Sequence, residues 1–304
     1  MQLRFLSAQP ATDYYAWQVE VYLHNFLKLG YDNIDVVGAI ENGVPLSWQR
    51  LRDRFKTVNF YFYTSDMPSD EYPPAIQSHI LSKHFKQHKY LKDYAIFFHD
   101  CDFIFTKYLD FSRYLHDDTW YFSDTISYIG ADYIKSKGEV VLEAMCGTIG
   151  IDRETVIRNQ RNSGGAQKLM KNLTSDYWDE VYRNSINLYR TLKQVKDIKK
   201  EGDPNGIQIW TASMWSELWT AWKRGYHIEV PKEFDFAWAT CPSERWSDVY
   251  FFHNAGVANN NSEMFFKADY IDRFPYLQNI KNLNKKRCSY KYYQLLKSID
   301  SCLI

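Results

Sequence analysis

Five consecutive apolar residues, Tyr94-Ala95-Ile96-Phe97-Phe98, run straight into His99-Asp100-Cys101-Asp102. A short apolar run without polar alternation is the pattern of a strand buried on both faces. Such a strand requires a mostly parallel sheet with helices covering each side. The rest of the chain supplies matching elements. Leu3-Arg4-Phe5-Leu6 reads as a strand ending in the loop Ser7-Ala8-Gln9-Pro10. Trp17, Val21, Phe26 and Leu29 recur at helical spacing, with Asp13 as the expected N-cap and Gly30 as the stop. Strands are expected at 34–40, 58–63, 120–123, 146–151 and 249–252, and Tyr72-Pro73-Pro74 opens a helix running to about Phe85.

Leu173 to Lys200 carries an apolar stripe of Tyr177, Val181, Leu188, Leu192 and Val195 with cations opposite, a long amphipathic helix. Gly202-Asp203-Pro204-Asn205-Gly206 breaks it, and a Trp-rich helix follows over Ile207–Lys223. The expected organisation is one α/β domain over 1–272, with residues 152–202 as a helical insertion. A basic, aromatic helical tail over 273–304 completes it.

With 304 residues, 45% hydrophobic and 24% charged, disorder, collagen, coiled coil and repeat array are excluded for the whole chain. No apolar run approaches the roughly 20 residues of a membrane helix, and the first ten residues lack a signal-peptide pattern, so a cytoplasmic protein is expected. Five scattered cysteines without C-x-x-C spacing point to reduced thiols rather than a disulfide framework or structural zinc. Aromatic residues reach 17%, which fits either a ring-rich core or a groove for a flat ligand such as a base or a sugar.

Taken alone, Asp100-x-Asp102 says little, since chance supplies about two such pairs at this Asp content. Its place matters more. In open α/β sheets ligands bind at the carboxyl ends of strands. Two acids there suit a hard divalent cation such as Mg²⁺ or Mn²⁺ carrying a diphosphate. The alternative is a pair of solvated loop acids.

Three segments carry a resemblance: Tyr14-Tyr15-Ala16-Trp17-Gln18 with His24-Asn25-Phe26, then Tyr72-Pro73-Pro74, then Phe97-Phe98-His99-Asp100-Cys101-Asp102. Ser123-Asp124-Thr125-Ile126-Ser127-Tyr128, Gln208-Ile209-Trp210-Thr211-Ala212 and His253-Asn254-Ala255-Gly256 extend it over roughly residues 3–257. Together they resemble the nucleotide-sugar-dependent glycosyltransferases of the GT-A fold. More narrowly, they are similar to the group of hydroxyproline O-arabinosyltransferases and peptidyl serine α-galactosyltransferases with bacterial and phage relatives. The resemblance implies a single Rossmann-like GT-A domain. It also implies transfer of an arabinosyl, galactosyl or glucosyl group from a UDP-sugar, with retention.

On that resemblance Asp100, Asp102 and His253 hold the metal, and imidazole favours Mn²⁺ over Mg²⁺. Asp100 is a metal or donor-ribose ligand, while Ala8, Gln9, Pro10, Tyr15 and Asn254 seat the nucleotide. Asp124, Asp203, Gln208 and Glu217 are candidates for the sugar and acceptor pocket. Bland alternatives stand beside each of these. His253 is then a structural histidine, Asp203 a turn residue and Glu217 part of a solvated helix face.

Two other classes compete. One is a non-catalytic module that binds a glycan or nucleic acid. The other is a phosphoryl or nucleotidyl transferase, which usually carries a Gly-rich or Lys-bearing phosphate loop that the sequence does not show. The acceptor hydroxyl is expected on a protein, a glycan or a hydroxymethylated DNA base. The DNA reading rests on eleven Lys/Arg against six acids between Asp152 and Lys200. It also rests on the tail cations Lys281 to Lys297, interleaved with Tyr290, Tyr292 and Tyr293. Lys193, Lys196 and Lys286 are its test positions.

Overall fold

The computed structural model describes residues 1–67, 71–198, 206–257 and 263–304; the side chains of 196–198 are not among them. Among the described residues there are ten strands: β1 (Gln2–Pro10), β2 (Ile34–Ile40), β3 (Asn59–Thr64), β4 (Tyr94–Phe98), β5 (Phe103–Phe105), β6 (Trp120–Asp124), β7 (Gly164–Met170), β8 (Ile228–Glu229), β9 (Phe236–Trp238) and β10 (Phe251–His253). The helices are α1 (Asp13–Lys28), α2 (Leu46–Arg54), α3 (Ile76–Gln87), α4 (Ile126–Ile129), α5 (Ala131–Lys137), α6 (Glu139–Ile149), α7 (Arg153–Arg158), α8 (Ser175–Ile198), α9 (Ala212–Lys223), α10 (Arg245–Asp248) and α11 (Cys288–Lys297). Seven strands form one sheet in the order β3-β2-β1-β4-β7-β6-β8, and β5-β10-β9 form a second. The protein is thus mixed α/β, with a central sheet flanked by helices. Among the described residues no helix is long and apolar enough to cross a membrane.

The chain divides into two compact units. The first contains Ser65–Phe97 and Ser112–Pro231, hence nearly all of β4, together with β6, β7, β8 and helices α3 to α9. Its core is closed by Trp120, Trp178, Trp215 and Trp219, each almost fully buried. The long helix α8 agrees with the stripe read from the sequence, since Tyr177, Val181, Leu188 and Leu192 are all buried.

The second unit contains Arg4–Thr64, Phe98–Phe111 and Lys232–Ile304. Here β1, β2 and β3 pair in parallel, with Gln9 opposite Gly38 and Gly38 opposite Phe62. A Cβ on Gly38 would lie 2.9 Å from the Phe62 ring, so only glycine fits between the strand and that ring. The interior is a lattice of rings. Phe26 meets Phe105 at 4.8 Å, Phe105 meets Phe251 at 5.5 Å and Phe5 meets Phe26 at 5.3 Å.

Several expectations are corrected. Cys146–Ile149 is the last turn of α6, not a strand, because Val141, Leu142, Met145, Cys146 and Ile149 are buried at helical spacing. Gly150 ends that helix in the left-handed region at φ 71. Ala8, Gln9 and Pro10 are the end of β1 rather than a loop, and both Ala8 and Gln9 are buried. Thr12, not Asp13, is the N-cap of α1, and the Asp13 carboxylate instead accepts the Ser47 hydroxyl at 2.6 Å. Residues 152–202 are not wholly helical, for β7 lies within them and is buried along its whole length. Gly-Gly-Ala-Gln-Lys-Leu-Met contains no β-branched or aromatic residue, so its position between β4 and β6 overrides a weak strand propensity.

The basic surface read from the sequence is also reduced. Lys168 and Lys171 are buried in ion pairs with Glu217 and Asp117. In the tail, α11 buries Tyr292 and Tyr293, and Tyr292 stacks on Phe252 at 5.5 Å. Lys193 and Lys286 are exposed, while Lys199, Lys200 and Asp203 lie outside the described residues. Two of the three tail rings are therefore withdrawn from a stacked base, and Tyr290 is half-buried.

The motif residue Asn25 has a clear task. From α1, its amide donates to the Phe105 carbonyl at 3.0 Å and its carbonyl accepts the Phe105 N–H at 2.8 Å. It thereby pairs with β5 as another strand would. Asn25→Leu removes both bonds from a buried site, at a cost of about 1–3 kcal/mol. Thermal denaturation of this variant should show a midpoint about 2–8 °C lower; an unchanged midpoint would contradict the assigned role.

Candidate metal and donor site

Asp100 and Asp102 follow β4, and Phe103 begins β5 in the next position. In the small sheet, β10 runs antiparallel to β5 with His253 opposite Phe103. The Asn254 N–H continues the ladder by donating to the Asp102 carbonyl at 2.9 Å. That register sets the C-terminal histidine beside the acids across about 150 residues of intervening chain. His253 Nε2 lies 3.0 Å from Asp102 Oδ1 and 3.7 Å from Asp100 Oδ2. One ligand atom from each of the three residues falls within 4.8 Å of the others.

Asp102 is 3% exposed, so a bare charge there would be costly. Burial acts to raise its carboxyl pKa, but His253 and Lys267 outweigh it and hold the group well below the usual carboxylate range. His253 is opposed in the same way: burial lowers it, while Asp102 and then Asp100 raise it above its ordinary value. Lys267 donates directly to Asp102 Oδ2. A divalent ion fits this donor set of two carboxylates and one imidazole, because Asp102 is held ionised and the three donors already converge.

Neighbouring residues lock the geometry. Trp238, the β9 partner of His253, stacks on the imidazole at 5.5 Å and 24°. His99 is fully buried beneath the site, edge-on to Tyr22 at 4.9 Å, with Nδ1 2.9 Å from the Asp100 carbonyl. Burial lowers its pKa to about 4, so it serves as a neutral packing group. Trp17 of α1 donates to the Tyr270 carbonyl at 3.3 Å and so fixes the turn Lys267–Tyr270 that presents Lys267.

The nucleotide candidates occupy the same unit. Gln9 Nε2 donates to the Val37 carbonyl at 3.2 Å, while its buried Oε1 has no partner among the described residues. Tyr15 is half-buried in the first turn of α1, and burial raises its pKa, with Lys267 and Asp102 among its charged neighbours. Asn254 is buried beside the Tyr292 hydroxyl.

The sugar candidates belong to the other unit. Asp124 is exposed at the end of β6 and accepts the Ile126 N–H at 3.0 Å. Gln208 is exposed, and its N–H donates to the Tyr133 hydroxyl at 3.1 Å. Glu217 departs from the solvated helix face considered for it, since it is buried against Lys168. Lys267 and Trp238 were not identified from the sequence. Neither sits in a recognisable motif, and only their contacts with Asp102 and His253 reveal them.

No family model and no curated protein matches the sequence. Among solved structures the chain is similar to WbbM, a bifunctional glycosyltransferase in its apo form, at 11% identity and a TM-score of 0.49 over 97% of this chain. It spans about half of the WbbM chain, 51%. The galactosyltransferase LgtC in complex with donor and acceptor sugar analogues is similar at 12% identity and a TM-score of 0.46, covering 99% of this chain and 97% of that one. The glycosyltransferase GlyE of Streptococcus pneumoniae TIGR4 follows at 12% and 0.43, covering 99% and 61%.

Two substitutions test the cluster by Mn²⁺ titration with electron paramagnetic resonance. Asp102→Asn should weaken Mn²⁺ binding more than about 100-fold, and Trp238→Ala, acting through His253, by about tenfold. Wild-type affinity in Asp102→Asn would remove the metal assignment.

Proposed function

We propose that this chain is a metal-dependent glycosyltransferase of the GT-A fold that moves a sugar from a UDP-linked donor to an acceptor hydroxyl. The observation that carries this reading is the convergence of Asp100, Asp102 and His253 at the end of β4. Two carboxylates and an imidazole suit Mn²⁺ better than Mg²⁺. When bound, such an ion neutralises charge growing on the leaving diphosphate.

The chain's own groups take the following parts. Asp102 and His253 would hold the ion, and Asp100 would hold it or the donor ribose. Lys267, which donates to Asp102, would add a second positive charge beside the diphosphate where negative charge develops. Gln9, with its unpartnered Oε1, and Tyr15 contact the base, beside Ala8 and Pro10; Asn254 closes the diphosphate side. Asp124 and Gln208 address the sugars, whereas Glu217 supports that unit through Lys168.

Transfer proceeds with retention by a front-face route. The bond from the anomeric carbon to phosphate oxygen breaks, and the acceptor oxygen bonds to the same face. The acceptor proton passes to the departing phosphate oxygen. No enzymic base is required.

Calorimetry with UDP tests the reading. UDP should bind only when Mn²⁺ is present, and Asp102→Asn should abolish that binding; metal-independent or absent UDP binding would sink it. Lys267→Met should tighten Mn²⁺ alone, by freeing Asp102, yet weaken UDP about tenfold, equivalent to about 1.4 kcal/mol. Loss of both affinities together would instead mark Lys267 as a purely structural partner. NMR of the anomeric proton in fresh product should report the donor's configuration, and an inverted linkage would overturn the front-face route.

A further inference from the structure

Trp210 stands apart from the other tryptophans of its unit. Trp120, Trp178, Trp215 and Trp219 are almost fully buried, whereas Trp210 is 58% exposed. Its exposure does not come from a loose backbone. The Trp210 carbonyl accepts the hydroxyl of buried Tyr72 at 2.6 Å, and the Ser213 N–H donates to the same hydroxyl at 3.0 Å. Tyr72 is itself stacked on Tyr189 at 4.8 Å. Two residues earlier, the Gln208 N–H is held by the Tyr133 hydroxyl, and the Gln208 carbonyl accepts Thr211 Oγ1 at 2.7 Å. A well-anchored turn thus displays an indole that would ordinarily be buried.

Beside it is the half-buried Tyr128 of α4. Its ring lies 6.4 Å from Trp210 between centroids, at an interplanar angle of 23°. This near-parallel pair joins two segments far apart in sequence, and each carries an exposed polar side chain. Asp124 lies four residues before Tyr128, and Gln208 lies two before Trp210. The Gln208 side-chain amide makes no hydrogen bond among the described residues, and Asp124 makes only the one to Ile126 N.

We propose that Trp210 and Tyr128 form a platform for a carbohydrate, with Asp124 and Gln208 hydrogen-bonding its hydroxyl groups, and that the acceptor is therefore a glycan. The identification of this ligand as the acceptor rests on the glycosyl-transfer reading above. A pyranose has an apolar C–H face that packs on an aromatic ring and a rim of hydroxyls that needs carboxylate and amide partners. Nucleic-acid bases also stack on rings, but their phosphates require cations alongside. Across segments 124–130 and 206–213 the one charged residue is Asp124, and its sign repels phosphate.

The experiment is an immobilised array of mono- to oligosaccharides, probed with wild type, Trp210→Ala and Trp210→Phe, with a single-stranded oligonucleotide alongside. Wild type should bind at least one glycan class. Trp210→Ala should weaken it at least tenfold, while Trp210→Phe keeps it within about threefold because a ring face remains. Calorimetry with UDP and Mn²⁺ on the same proteins separates the two readings. Glycan binding without UDP binding would leave the platform standing and defeat the transferase. The platform is overturned if wild type binds no glycan, if Trp210→Ala binds as tightly as wild type, or if the oligonucleotide is the ligand lost in Trp210→Ala.

Discussion

Pairing of β10 with β5 is the constraint on which the candidate site depends. The strands share only three register pairs, yet they set His253 beside Phe103 and so beside Asp102. Everything that steadies β5 therefore steadies the cluster. Asn25 pairs with the Phe105 backbone, and the rings of Phe26, Phe103, Phe105 and Phe251 pack around the same strand. Phenylalanines supply rigid bulk without polar atoms, so a three-residue strand is held by packing rather than by a long ladder.

A second constraint is electrostatic. A carboxylate as buried as Asp102 persists only with positive partners, and His253 and Lys267 supply them from opposite oxygens. Cations thus already stand at both oxygens of Asp102. In the first unit the buried Lys168–Glu217 pair follows the same logic without an open ligand set, which suits it to structural work, while buried Lys171 is neutralised by an exposed Asp117.

Local pattern was readable wherever a single element had to satisfy its own period. The run Tyr94–Phe98, the stripe of α8, the prolines before α3 and the stop at Gly30 all carry their reason within a few residues. It misled where neighbours decided. β7 has the composition of a loop, yet it is a strand because β4 and β6 flank it. The end of α6 looked extended because Cys146–Ile151 is short and apolar, a pattern shared by buried strands and buried helix turns. The basic tail looked like a surface, but α11 turns Tyr292 and Tyr293 inward.

The sequence by itself determined an α/β chain, the acids at the end of a buried strand, and the histidine that resemblance set beside them. Those features lie in contiguous residues, where period and composition act directly. Only the tertiary structure decided what completes the site. Lys267 reaches Asp102 from 165 residues away, Trp238 covers His253 through a parallel strand pair, and Trp210 finds Tyr128 across a unit of many helices. A salt bridge, a stacked ring and an exposed indole depend on which surfaces meet, and no local period encodes that.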